Sequence, residues 1–287
     1  MCIAALAWQI LPDRPVFLVS NRDEFYARAA TPLAEWVDSS IIAGQDSVSH
    51  GTWLGMTKQG RWAVITNYRE PLGDQSFERS RGLLVTDYLN GDLSPMAFAH
   101  SLAAQHCYAG FNIIVGDLKQ AVVFGNRGTP PTPLASGLYV LSNGLISEPW
   151  PKMERLRLRV MQEVIPMLLN TAAGQAIPSE VVNNTWHILN DHLQADDSAL
   201  PITGISPDME KVLSSIFIQT PNYGTRVSSI LTLDQLGYEF LEKNHVPTLW
   251  HQQGVGHSRT VNNVSPQRSD AGNDSDSDDV IHKSGYW

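Results

Sequence analysis

The stretch MCIAALAWQILPDRPVFLVSNRDEF, residues 1–25, decides how the rest of the chain is read. Ile3–Ile10 and Val16–Ser20 are apolar runs that suit strands, and they flank the turn Pro12-Asp13-Arg14-Pro15. Antiparallel pairing about that turn sets Cys2 opposite a residue near 23 to 25, beside Asn21-Arg22-Asp23-Glu24. An arginine at that place favours a thiolate. An aspartate there can hold an α-amine by a charge-assisted hydrogen bond.

Cys2 directly follows Met1. Removal of an initiator Met ahead of a small residue leaves a cysteine that carries a thiol and a free amine together. The amine can then serve as base for its own side chain, the arrangement of an N-terminal nucleophile.

Working outward, Thr52–Thr57 and Arg61–Asn67 read as a second hairpin around Gln59-Gly60. Phe111–Val115, Ala121–Phe124, Leu138–Leu141, Ser215–Gln219, Arg226–Leu233 and Tyr238–Glu242 read as further strands. Helices are predicted from Ser80 to Leu89 and from Ser94 to His106, with Pro95 at the first helical position of the second. A long one begins near Pro151, its apolar residues Met153, Leu156, Val160, Met161, Val164 and Leu168 recurring at helical spacing, and another runs from Ser179 to Leu193, capped by Ser179. Strands, helices, strands, helices and strands in that order predict two sheets with helices outside them.

Charge and composition exclude several classes. The 287 residues carry a net charge of −9, so nucleic acid is not an expected partner. No apolar run is long enough to span a membrane. Two cysteines, Cys2 and Cys107, exclude a disulfide framework, and a cytoplasmic location is expected. No Cys or His cluster has zinc spacing. Residues 258–287 are polar and acidic, with Asp270, Asp274, Asp276, Asp278 and Asp279 close together. They are expected to form a disordered tail behind a folded body at 1–257.

Met1-Cys2 followed by Ser20-Asn21-Arg22-Asp23-Glu24-Phe25 resembles the NRDE-motif family, also called the transport and Golgi organisation family. That family is similar to the cysteine N-terminal-nucleophile hydrolases, which include penicillin V acylases and bile salt hydrolases. The resemblance covers about residues 1–250 and implies an α+β fold, a four-layer αββα sandwich. It matches Cys2 to the nucleophile and places Arg22 and Asp23 beside it. It matches Asn67 and Asn143 to oxyanion donors, and Arg226 to a late arginine near the thiol. In the hydrolases the arginine and aspartate are separated in sequence. Here they adjoin, so on a strand their side chains point to opposite faces. Within His50-Gly51-Thr52-Trp53-Leu54-Gly55 the glycines permit a tight hairpin near the site, and Trp53 is expected in the core.

The activity so implied is hydrolysis of a linear amide or thioester, with no cofactor required. The alternative is non-catalytic binding or trafficking of haem or an acyl lipid in the same pocket. The partner in either case is a small hydrophobic or acidic ligand.

Overall fold

A computed structural model describes residues 2–71, 77–245 and 280–287. The opening hairpin forms where the apolar runs predict it. β1 (Cys2–Leu11) pairs antiparallel with β2 (Arg14–Phe25). Next to the turn Leu11 faces Arg14, but a bulge follows, with Gln9 at φ 52°. Beyond it Trp8 faces Val16 and Cys2 faces Arg22. The extra residue moves the register by one, so the partner of Cys2 is Arg22 and not a residue from 23 to 25.

The second sheet is a meander of β3 (Ala30–Glu35), β4 (Ile41–Asp46), β5 (Leu54–Thr57), β6 (Trp62–Asn67), β7 (Phe111–Gly116), β8 (Ala121–Gly125) and β9 (Thr129–Pro133), each beside the next. The first sheet contains β10 (Gly137–Leu141), β11 (Tyr223–Leu233), β12 (Gly237–Asn244) and β13 (Val280–Tyr286), in the order β10-β1-β2-β11-β12-β13. The expected strand at Ser215–Gln219 is not one; only Gln219 bridges to Gly224.

Period-two alternation divides the core into layers. Ile3, Ala5 and Ala7 pack toward helices, whereas Ala4, Leu6 and Trp8 pack toward the second sheet. The helices on the first side are α3 (Pro151–Arg159), continuing through a π-turn at Val160–Val164 into α4 (Ile165–Leu168), and α5 (Ser179–Leu189). The other sheet carries α1 (Gly82–Asn90) and α2 (Pro95–Ala103) on its outer face. The result is α+β, with four layers in the order helix, sheet, sheet, helix. Ser94 caps α2 by accepting the Ala97 N–H at 3.2 Å. Ser179 does not cap α5, whose flanking residue is Pro178. Among the described residues no helix is long and apolar enough to cross a membrane.

The expected tail needs correction at its end. Residues 258–279, and the boundary at 257, lie outside the described residues. Val280–Tyr286, however, is β13, paired along β12 from Val280–Lys243 to Tyr286–Gly237. Val280 packs on the helix side of the sheet and Ile281 on the inter-sheet side. Trp287 donates its indole N–H to the Asp234 carbonyl at 2.9 Å and lies 5.7 Å from the Tyr238 ring.

Candidate active site

Cys2, at the start of β1, lies opposite Arg22, three residues before the end of β2, on the inter-sheet face. Arg22 stacks on Trp53, 4.3 Å from the ring centroid, and donates to Asp46 at 3.1 Å. Arg28 also grips Asp46, at 2.6 Å. Burial alone would push the Asp46 carboxyl up, but the Arg28 bond and the Ser49 and Val48 N–H groups outweigh it and hold it below its ordinary value. Trp53 is therefore a platform for Arg22 as well as a core residue. A pocket of about 130 Å³ opens here, with Cys2, Arg22, Asp23 and Asn67 among its walls and Ser80, Arg81 and Gly82 at the start of α1 closing one side. Gly51 serves this closure. A Cβ there would lie 2.4 Å from the Gly82 carbonyl carbon, and Thr52 N–H donates to the Gly82 carbonyl at 3.1 Å.

Asp23 points to the other face, as its adjacency to Arg22 predicts. Thr225 donates to its carboxylate at 2.7 Å, and the Tyr223 phenol donates to its backbone carbonyl at 3.1 Å. Burial pushes this carboxyl up, opposed in part by nearby cations that include Lys152. Arg22 and Asp23 thus flank the end of β1 from opposite sides of one sheet, and each reaches the Cys2 pocket.

Packing supplies groups that sequence patterns left unmarked. Lys152, in the first turn of α3, is 1 % exposed and donates to the Leu213 carbonyl at 3.1 Å. Burial pulls its ammonium down to about 8, against the attraction of Asp23. Arg69 is buried in an ion pair with Glu210 of α6 (Pro207–Val212), and its guanidinium lies 4.6 Å from the Trp150 ring centroid. No motif marks Lys152. Its burial comes from the chain around Leu213 folding over the first turn of α3.

One electrostatic expectation is overturned. Arg22 does favour the Cys2 thiolate, but burial outweighs it and pushes the thiol above its ordinary value.

The asparagines separate. Asn67, at the end of β6, lines the Cys2 pocket, and no hydrogen bond holds its side-chain amide among the described residues. Asn143 is fully buried behind it. Its Nδ2 donates to the Asn67 carbonyl at 2.8 Å, and its own carbonyl accepts the Arg69 N–H at 2.6 Å. Arg226 is the extra residue of a bulge in β11. Its guanidinium donates to the carbonyls of Arg28 and Phe25, and it lines a different cavity from the one at Cys2. Among the described residues no group of His, Cys, Asp and Glu is placed to hold a metal ion.

Comparison with known proteins assigns the family. The family model described as Transport and Golgi organisation 2 matches residues 1–246. The bovine Transport and Golgi organization protein 2 homolog is 33% identical over 258 residues, covering 82% of this chain and 89% of its own. The human homolog is 33% identical over 242 residues, covering 78% and 83%. The Drosophila melanogaster protein is 26% identical over 243 residues, covering 76% and 82%. Solved structures are more distant. A Caenorhabditis elegans N-acylethanolamine-hydrolyzing acid amidase ortholog is 12% identical, with a TM-score of 0.44, over 80% of this chain and 92% of that one. The C2A mutant of the Clostridium perfringens conjugated bile acid hydrolase is 10% identical, with a TM-score of 0.45, over 84% and 88%. At these scores the likeness carries no argument about activity. The sequence matches do carry one about kinship: the chain belongs to the Transport and Golgi organisation 2 family.

Proposed function

We propose that the chain is a cysteine hydrolase of the N-terminal-nucleophile type, acting on a linear amide or thioester, with Cys2 as nucleophile once Met1 is removed. The observation that carries this reading is the Cys2–Arg22 pairing, with Asp23 beneath it and the Asn67 amide in the same pocket. The α-amine takes the thiol proton as sulfur attacks the carbonyl carbon. Asn67 donates to the oxyanion that forms. Collapse breaks the bond to the leaving nitrogen or sulfur, which takes the proton back from the amine. Water then attacks the acyl-enzyme, the amine accepts its proton, and the acid departs as the thiol is restored. Asp23 holds the ammonium form of the amine. A pocket of about 130 Å³ is well below the roughly 300–1,000 Å³ typical of small-molecule sites, so it takes the reacting carbonyl and its neighbours, not a whole ligand.

A second reading is favoured by the burial-raised thiol. In it the pocket binds a hydrophobic acidic molecule, such as an acyl lipid or haem, without turnover. A panel of acyl amides and acyl thioesters separates the two. Cys2→Ser and Asn67→Ala should each lower turnover at least a hundredfold while ligand still binds. Absence of turnover in the wild-type chain lacking Met1 would favour the carrier.

A further inference from the structure

A second cavity, of about 270 Å³, opens where the inter-sheet core meets the C-terminal strand. Its walls include Arg22, Pro32, Trp53, Arg226, Val227 and Ile281. Arg22 and Trp53 also line the Cys2 pocket and so form the partition between the two. Arg22 is 4 % exposed, and its Nη1 has no hydrogen-bond partner among the described residues. Arg226 donates only to backbone carbonyls, and it makes no ion pair with a carboxylate among the described residues. Of the nearby acids, Asp46 is shared between Arg22 and Arg28, and Glu24 lies 3.8 Å from Arg28. Glu242 on β12 accepts the Leu33 N–H at 2.8 Å and the Asn244 amide at 3.2 Å, and burial pushes its carboxyl up, toward the neutral acid.

The Arg22 guanidinium, buried without a full set of acceptors, is costly to hold from water, and an anion shared with the half-buried Arg226 would complete it. We infer that this cavity binds a short acyl anion, its carboxylate between Arg22 and Arg226 and its chain against Trp53, Pro32, Val227 and Ile281. Ile281 belongs to β13, beyond the residues 1–246 that match the family, so one wall is supplied by a segment outside the family body. The inference goes beyond the proposed hydrolysis and holds whether or not Cys2 turns over.

The test is calorimetric titration of the full chain with hexanoate, with the neutral hexanamide as control. Wild type and Cys2→Ala should bind hexanoate saturably and alike, with hexanamide at least tenfold weaker. Arg226→Gln should weaken hexanoate at least tenfold. Ile281→Trp, which fills the cavity while leaving both arginines in place, should abolish binding at an unfolding midpoint close to that of wild type, which separates a filled cavity from a misfolded chain. Equal affinity for acid and amide, no binding of either, or hexanoate binding unchanged in both cavity variants would overturn the assignment.

Discussion

Asn143 donates its side-chain Nδ2 to the backbone carbonyl of Asn67 at 2.8 Å, so two asparagines expected to act side by side stand one behind the other. Asn67 faces the Cys2 pocket, and Asn143 fixes the strand end that presents it. Their substitutions should therefore separate. Asn143→Ala leaves a buried carbonyl without its donor and should cost about 1–3 kcal/mol of stability in urea unfolding. Asn67→Ala should unfold within about 0.5 kcal/mol of wild type yet lower turnover about 10²–10³-fold. Equal stability losses in the two variants would contradict the serial arrangement.

Lys152 gives the site a signature in alkali. Its ammonium titrates near 8 in the fold and at 10.5 when free. Between those values the unfolded chain holds the extra proton, so this group makes stability rise with pH across the window, and below it the buried charge is carried at a cost. Subtracting the pH profile of Lys152→Met from that of wild type should reveal a gain of about 3 kcal/mol between pH 8 and 10.5. A flat difference would show that Lys152 is not buried as a cation.

His245 sets the opposite limb. It contacts Ser228 Oγ at 2.9 Å and stands edge-on to Phe217 at 4.9 Å. Ser228 gives its own proton to Asn21 at 2.6 Å, so the imidazole is the donor in its pair. Burial pulls its pKa from 6.5 to about 4. The unfolded chain binds the proton first as pH falls, so stability is lost between pH 6.5 and 4, by about 2 kcal/mol after allowing for partial exposure. His245→Gln can keep a donor toward Ser228 but cannot titrate, and chemical unfolding at pH 7 and pH 4.5 should show a smaller difference than in wild type.

The C-terminal strand should matter to the body. Ending the chain at residue 279 removes the β12–β13 ladder and the Trp287 bond to Asp234. The melting temperature should drop by at least about 5 °C, since each kcal/mol shifts a domain of this size by roughly 2–4 °C. An unchanged melting curve would mean that β13 is only loosely held.

Strands were readable wherever one face is apolar and the other packs on a second layer. The β1–β2 hairpin and the β5–β6 hairpin announce themselves that way. β9 does not, because Pro130, Pro131 and Pro133 read as loop and are tolerated only at a sheet edge. β13 was hidden by the acidic residues before it, which dominate any average over residues 258–287. At the site, Cys2, Arg22 and Asp23 are legible from the register of the opening hairpin and the Asn21-Arg22-Asp23-Glu24 string, and Asn67 because it ends an apolar strand. The roles of the others depend on packing that no local pattern carries. A one-residue bulge chooses Arg22 as the partner of Cys2, a second bulge turns Arg226 into the neighbouring cavity, and Lys152 becomes buried only when the chain around Leu213 covers it.

The most direct test of Cys2 as an N-terminal nucleophile is intact mass spectrometry of the purified chain, before and during reaction with a short-chain acyl thioester. The predicted result is a mass lacking Met1, then a single acyl adduct mapping to the peptide that begins with Cys2, absent from Cys2→Ser together with turnover. Retention of Met1, acylation confined to Cys107, or full turnover by Cys2→Ser would contradict it.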